Sequence, residues 1–186
     1  MLPDWITDLP WLWIATLAVL ALWTLGAHNR ITALRAAVLA AWAQLDQALQ
    51  ARDQAMGSLL AAVAQPLATE SAALDAVAGA QAQVLTATDA LRRRPVAQDT
   101  VADLSKADAV LAAVLVRLLA LLDQHPALLA DEAVKTPLKA LKEVPPRLLF
   151  ARQMFNDAGV AYNHATRQFP TRLLASLLRF GQAGKL

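Results

Sequence analysis

Residues 11–63 read WLWIATLAVLALWTLGAHNRITALRAAVLAAWAQLDQALQARDQAMGSLLAAV, a run without proline. Two patterns follow one another inside it. From Trp11 to Ala27 there are seventeen residues and no charge, at the short end of what crosses a bilayer. Leu12, Ile14, Leu17, Val19, Leu20, Leu22 and Leu25 favour the membrane by roughly 0.3–0.6 kcal/mol each, together about 2–4 kcal/mol, most of which one central Arg or Asp would cancel. Trp5, Trp11 and Trp13 gather at one end and Trp23 lies near the other, as an interfacial aromatic belt does. A cleaved signal peptide opens with basic residues, whereas Asp4 and Asp8 precede this run and no Lys or Arg does. The reading is a transmembrane helix, with a cleaved leader and a buried core helix as the alternatives.

Charge orients the span. Arg30 and Arg35 follow it closely and nothing basic precedes it, so the positive-inside rule puts residues 1–10 outside as a short extracytoplasmic segment, 11–27 in the membrane and 28–186 in the cytoplasm. The absence of cysteine agrees with a reducing compartment.

Beyond the span the pattern changes. Ile31, Leu34, Val38, Trp42, Leu45, Leu49, Arg52, Met56, Leu59 and Val63 step by three and four, the stripe of a bundle helix. A helix from His28 to Ala64 would be roughly 55 Å long. Pro66 ends it, because a proline disfavours the helical conformation in the residue before it. Thr69 is placed to cap a second helix, with Leu74, Val77, Gln81, Val84, Thr88 and Leu91 on one face. Arg92–Arg94 end it as a solvated basic turn. Thr100 and Asp103 have the spacing of a capping box, opening a third helix striped by Val101, Leu104, Asp108, Leu111, Leu115, Leu118 and Leu122 and closed at His125-Pro126. A short basic segment spans Asp131–Glu143, and Pro145-Pro146 break the chain before a fourth helix, 146–168, striped by Leu149, Arg152, Phe155, Gly159, Tyr162 and Thr166. Short loops make neighbours antiparallel. The fold class is therefore all-α: a transmembrane helix, an antiparallel four-helix bundle, and a short C-terminal amphipathic helix. That last helix places Leu173, Leu174, Leu177 and Leu178 on one face and Arg172, Ser176 and Arg179 on another. It arrives at the membrane end of the bundle and either touches anionic lipid or caps the bundle.

Little in the chain signals chemistry. There is no Cys, the three His are scattered, and Glu occurs only at 70, 132 and 143. No HExxH, paired Glu-x-x-His, GxSxG, phosphate loop or dinucleotide fingerprint is present. No catalytic residue, metal site or cofactor is expected. The basic end, nine Lys/Arg against four Asp/Glu over residues 131–186, lacks the interleaved aromatics of a nucleic-acid face. One constellation stands out. Arg52, Gln81, Asp108 and Arg152 each lie on an apolar stripe, one per helix. Antiparallel folding brings them to similar heights. A buried arginine is costly unless paired, so the four form a polar ligand site, a layer that fixes helix register, or long stems that reach out at the bundle edge.

The run ARQMFNDAGVAYNHATRQFP (151–170) followed by LLASLLRF (173–180), preceded by HNRITALR (28–35), AWAQLDQALQARDQ (41–54) and HPALL (125–129), resembles the signature of the LemA family. The resemblance covers nearly the whole chain. It implies a single-pass bacterial membrane protein with a cytoplasmic antiparallel helical domain, and it carries no established catalytic residues. Trp42, Asp46, Leu49, Arg52, Ala151, Arg152, Asn156, Tyr162, Asn163, Phe169 and Pro170 sit where the family motif has them. His28 and His125 stand where tyrosine is usual, Gln81 replaces an arginine, and Pro145-Pro146 interrupt what is elsewhere a continuous acidic helix. The functional expectation is a scaffold or adaptor at the cytoplasmic face of a bacterial inner membrane, in contact with the lipid bilayer and with other proteins, and open to homo-oligomer formation. The alternative is a ligand-binding sensor using the polar layer. The membrane-interface residues would be Trp5, Trp11, Trp13, Trp23, Arg172 and Arg179.

Overall fold

The computed structural model describes residues 10–168, 172 and 181–186. Four long helices carry it: α1 (Pro10–Val63), α2 (Ser71–Arg93), α3 (Gln98–Asp123) and α5 (Glu132–Arg167), with a single turn α4 (Pro126–Ala130) between the last two. A 3-10 turn, Ala68–Glu70, leads into α2. No strand occurs among the described residues, and the all-α expectation holds.

α1 is one unbroken helix of 54 residues, so the apolar segment and the bundle stripe share an axis. Its stripe from Ile31 to Val63 is buried or half-buried throughout. The helices associate in two tight pairs, α1 with α5 and α2 with α3. Buried alanines explain the closeness: Ala41, Ala48 and Ala55 recur every seven residues on α1, as do Ala80 and Ala87 on α2. A small side chain every two turns keeps the same face against the partner and lets the axes approach. One continuous core cluster runs through both pairs and includes larger side chains such as Leu45, Met56, Leu59, Leu111, Leu118 and Phe155. Full burial of such a side chain stabilises the fold by about 1.5–3 kcal/mol.

The fourth long helix corrects the expected boundaries. Asp131–Glu143 and 146–168 are not separate; α5 runs through Pro137, Pro145 and Pro146. Each proline removes one hydrogen bond and crowds the preceding turn, a cost of roughly 3 kcal/mol in a helix interior. Leu141, Val144 and Leu148 are buried on the core side of this stretch, and that packing holds the helix together. The expected stripe also shifts: Leu148 is buried whereas Leu149 is 70% exposed.

Two capping expectations fail. Thr69 falls within the 3-10 turn and the cap position of α2 has no side-chain hydrogen bond. α3 starts at Gln98, ahead of Thr100, whose hydroxyl instead donates to the carbonyls of Ala97 (3.0 Å) and Arg94 (3.2 Å). Asp131 does cap α5, its Oδ1 accepting from the Ala133 N–H at 2.9 Å. Residues 181–186, which follow the segment expected to form the amphipathic helix, are not helical; Ala183 and Leu186 bond through their main chain to Asn163 and Asn156 of α5. Leu173, Leu174, Ser176, Leu177 and Leu178 lie outside the described residues.

Candidate functional site

Asp108 is the centre of the polar layer. It projects from α3 between Arg52 of α1 and Arg152 of α5. The Arg52 Nη1 lies 2.6 Å from Asp108 Oδ1, and the Arg152 Nη2 donates to Asp108 Oδ2. The side chains of Arg52 and Asp108 are 11% and 13% exposed, that of Arg152 35%. Burial pushes the Asp108 carboxyl up, but the two guanidiniums outweigh it and hold the group below its usual range. One carboxylate against two guanidiniums leaves the layer a net positive charge.

Hydrogen bonding in the layer is incomplete. The Arg52–Asp108 contact is close enough for ion pairing but not aligned as a hydrogen bond, so among the described residues Asp108 Oδ1 has no aligned donor and the buried Arg52 Nη2 no acceptor. A buried polar group without a partner costs about 1–3 kcal/mol, more when charged. The layer also opens sideways. A cleft of about 460 Å³ lies between α3 and α5, walled by Leu111, Leu115, Leu141, Pro145, Leu148 and Leu149 and reaching Arg52, Asp108 and Arg152. Pro145 and Pro146 present no N–H on that wall. Chemically this is an apolar trough with guanidinium groups at one side, suited to an acceptor-bearing or anionic group carrying an apolar body.

Gln81 does not join the layer. Its Nε2 donates to Asp53 Oδ1 at 2.5 Å and to the Asp53 carbonyl at 3.2 Å. The expectation placed it at the right height but on the wrong partner, one residue along α1 from Arg52. A second ionic link was missed. Arg92 is not merely part of a solvated basic turn: its Nη2 and Nε donate to both oxygens of Asp46, at 2.7 and 3.1 Å, and its Nη1 reaches Asp89 at 2.6 Å. The fork geometry of a guanidinium on a carboxylate thus ties the end of α2 to α1, and the Asp46 contact holds the Arg92 guanidinium above its ordinary range.

The remaining motif positions divide by role. Trp42 is buried and meets Phe155 edge-on, ring centroids 6.2 Å apart. Tyr162 is buried; desolvation raises its phenol pKa while nearby Arg35 opposes the shift. Asn156 and Asn163 turn to residues 183–186. Of the interface residues, Trp11 and Trp13 are exposed, Trp23 is half-buried and Arg172 is exposed. Trp5, Phe169, Pro170 and Arg179 lie outside the described residues. No cluster of metal-ligating side chains occurs among the described residues.

The family model of the LemA family matches residues 41–185, most of the chain. The chain belongs to the LemA family. The match begins at Ala41 and so takes in the bundle portion of α1, Asp46, Arg52, Asp108, Arg152 and the two asparagines. No match is found among curated proteins.

Proposed function

We propose that this LemA-family protein is a non-enzymatic scaffold or adaptor anchored by a single pass in a bacterial inner membrane, its N-terminus outside and its bundle in the cytoplasm. One observation carries the reading: α1 contains a stretch apolar enough to cross a membrane of which only 6% is buried, and the same helix continues as the spine of the bundle. A core helix of a soluble protein would have its apolar window covered. Here Leu12, Ile14, Val19, Leu22 and Leu25 are all exposed, and lipid is the solvent that suits them. Arg30 and Arg35, the first basic residues after the segment, favour the cytoplasmic side. A continuous helix transmits orientation from membrane to bundle, as a presenting platform needs.

A reporter fused after Leu186 that is active only in the cytoplasm tests the orientation; activity of an export-dependent reporter there would reverse it. Proximity labelling from the same position in intact membranes should enrich a small, reproducible set of proteins, and uniform background labelling would argue against the adaptor reading.

The cleft beside the half-satisfied Arg52 favours one second reading, a ligand-binding bundle. A ligand that binds only the folded protein raises its melting temperature. A thermal-shift screen of the full chain in micelles against amphiphilic carboxylates, read beside an Arg152→Ala variant, tests it; equal shifts in both proteins would dismiss the layer as the site.

A further inference from the structure

Residues 181–186 occupy the groove between α3 and α5 through their main chain. The Asn163 amide forms two hydrogen bonds with Ala183, Nδ2 donating to the carbonyl at 2.9 Å and Oδ1 accepting from the N–H at 2.7 Å. Asn156 does the same with Leu186, both bonds at 2.9 Å. The match is metric. Seven residues of helix separate the asparagines by about 10.5 Å, and three residues of extended chain separate Ala183 from Leu186 by about 10 Å. Each asparagine therefore meets the donor and acceptor of one residue, as a neighbouring strand would.

The segment packs closely on both walls. A Cβ on Gly159 would make ordinary van der Waals contact with Ala183 Cβ at 3.4 Å and the Gly184 carbonyl at 3.5 Å. A Cβ on Gly184 would fall 2.6–3.0 Å from three carbons of Val101, closer than packed atoms tolerate. Ala183 and Gly184 are buried, whereas Gln182 and Lys185 are exposed. On α5, Arg152 lies one turn beyond Asn156, so the groove past Leu186 leads toward the cleft over Asp108.

We propose that the α3–α5 groove is a peptide-binding site that reads the main chain of an extended segment through Asn156 and Asn163, requires glycine against Val101 and an aliphatic residue two positions on, and is held in cis by residues 181–186. Its partner is a protein bearing an exposed extended segment of the pattern Ala-Gly-x-Leu. Side-chain amides paired with a peptide backbone give affinity with little sequence demand, as in strand addition, and the few buried positions set specificity. The inference deepens the adaptor reading by naming a partner chemistry. The two fail separately, because peptide binding is measured on purified protein and the adaptor role in intact membranes.

The experiment uses the full chain in micelles and fluorescein-labelled GQAGKL. Gly184→Val expels the cis segment and opens the groove. The Gly184→Val protein should bind the peptide at least tenfold more tightly than the parent, whose groove is filled. Replacing the second glycine of the peptide with valine should lose at least tenfold. Adding Asn156→Ala and Asn163→Ala should lose a further tenfold or more at unchanged helicity. A peptide with Gln and Lys both replaced by Ser should bind within about threefold. Absence of binding to a folded Gly184→Val protein, or binding indifferent to the glycine or the asparagines, overturns the site. Binding confined to the native hexapeptide overturns the partner and leaves a self-latch. Should Gly184→Val not fold, a protease site placed between residues 173 and 180 and cut after folding provides the same measurement, labelled peptide displacing the released fragment; a fragment that never exchanges overturns the proposal.

Discussion

Residues 11–27 and residues 28–63 belong to one helix and draw on the same alanine and leucine, yet their surfaces follow opposite rules. In the first stretch every side chain but Trp23 and Ala27 is exposed and no charge occurs. In the second an apolar stripe is buried, and three charged residues beside or within it, Asp46, Arg52 and Asp53, are each met by a residue from another helix, Arg92, Asp108 and Gln81. The difference lies in the company, not the backbone. On the packed side of this helix each charge is met by a polar or charged side chain from another helix, Arg30 and Arg35 face outward, and the first stretch carries no charge at all.

Removing a complement should produce the largest effect. Asp108→Ala leaves Arg52 buried without a counter-charge, and breaking a buried pair from one side costs about 3–5 kcal/mol. Replacing Arg52, Asp108 and Arg152 together by leucine should cost much less, because no charge is then stranded. Urea denaturation of the full chain in micelles, followed by circular dichroism, measures both. A loss below about 1 kcal/mol for the single change would mean that the layer is effectively solvated.

Adding a charge where no complement exists should come next. Leu20→Arg in the middle of the exposed apolar stretch should oppose insertion by about 2.5–3.5 kcal/mol, moving protein from the membrane to the soluble or degraded fraction. Gln47→Arg, on the exposed side of the bundle portion, should change stability by less than about 0.5 kcal/mol. Equal membrane partition of the Leu20→Arg protein and the parent would remove the lipid reading of the first stretch.

What was legible in the sequence, and what was not, divides along the same line. Periodicity reports one helix at a time, and there it succeeded: every stripe position named for α1, α2 and α3 is buried or half-buried. It failed where a local rule met tertiary packing. Pro145-Pro146 signal a break, but Leu141, Val144 and Leu148 lie on the core face and carry α5 through. Starting that helix afresh at Pro146 also set its phase by one residue, so Leu149 was expected inside in place of Leu148. Partner choice was the other loss. Height along an antiparallel bundle is countable, which brought Arg52, Asp108 and Arg152 together. Rotation about each axis is not countable, and Gln81 therefore found Asp53, and Arg92 found Asp46. The two asparagines gave no local signal; their spacing of seven acquires meaning only against an extended segment that no helix pattern announces.

Acid should unpick the layer without mutation. The Asp108 carboxyl is held below its usual value in the folded protein, against about 3.9 when unfolded. A depressed carboxylate contributes stability that is complete above the unfolded pKa and is lost as pH falls through the folded value. The parent should thus keep its urea midpoint down to about pH 5 and lose it progressively below about pH 4. Asp99, depressed by its backbone hydrogen bond to Thr100 with help from Arg94, adds to the slope. The Asp108→Ala protein should show a shallower acid slope, and identical slopes would mean that Asp108 titrates alike in both states.

The smallest effect belongs to the link between Arg92 and Asp46, and it tests how far burial alone decides the value of a charge pair. The geometry is good, a fork of two bonds at 2.7 and 3.1 Å. Solvent reaches it, however: the Arg92 side chain is 42% exposed and that of Asp46 16%. Water screens such a pair, and ordering two long side chains opposes it, so exposed pairs contribute about 0.2–1 kcal/mol. A double-mutant cycle of Arg92→Ala and Asp46→Ala should return a coupling in that range, shrinking when salt rises from 0.05 to about 1 M as the screening length falls to roughly 3 Å. Arg92→Lys should keep the charge but lose most of the coupling, because an ammonium cannot reproduce the fork. A coupling above about 2 kcal/mol, insensitive to salt, would place this pair with the buried layer and show that two aligned bonds can substitute for burial.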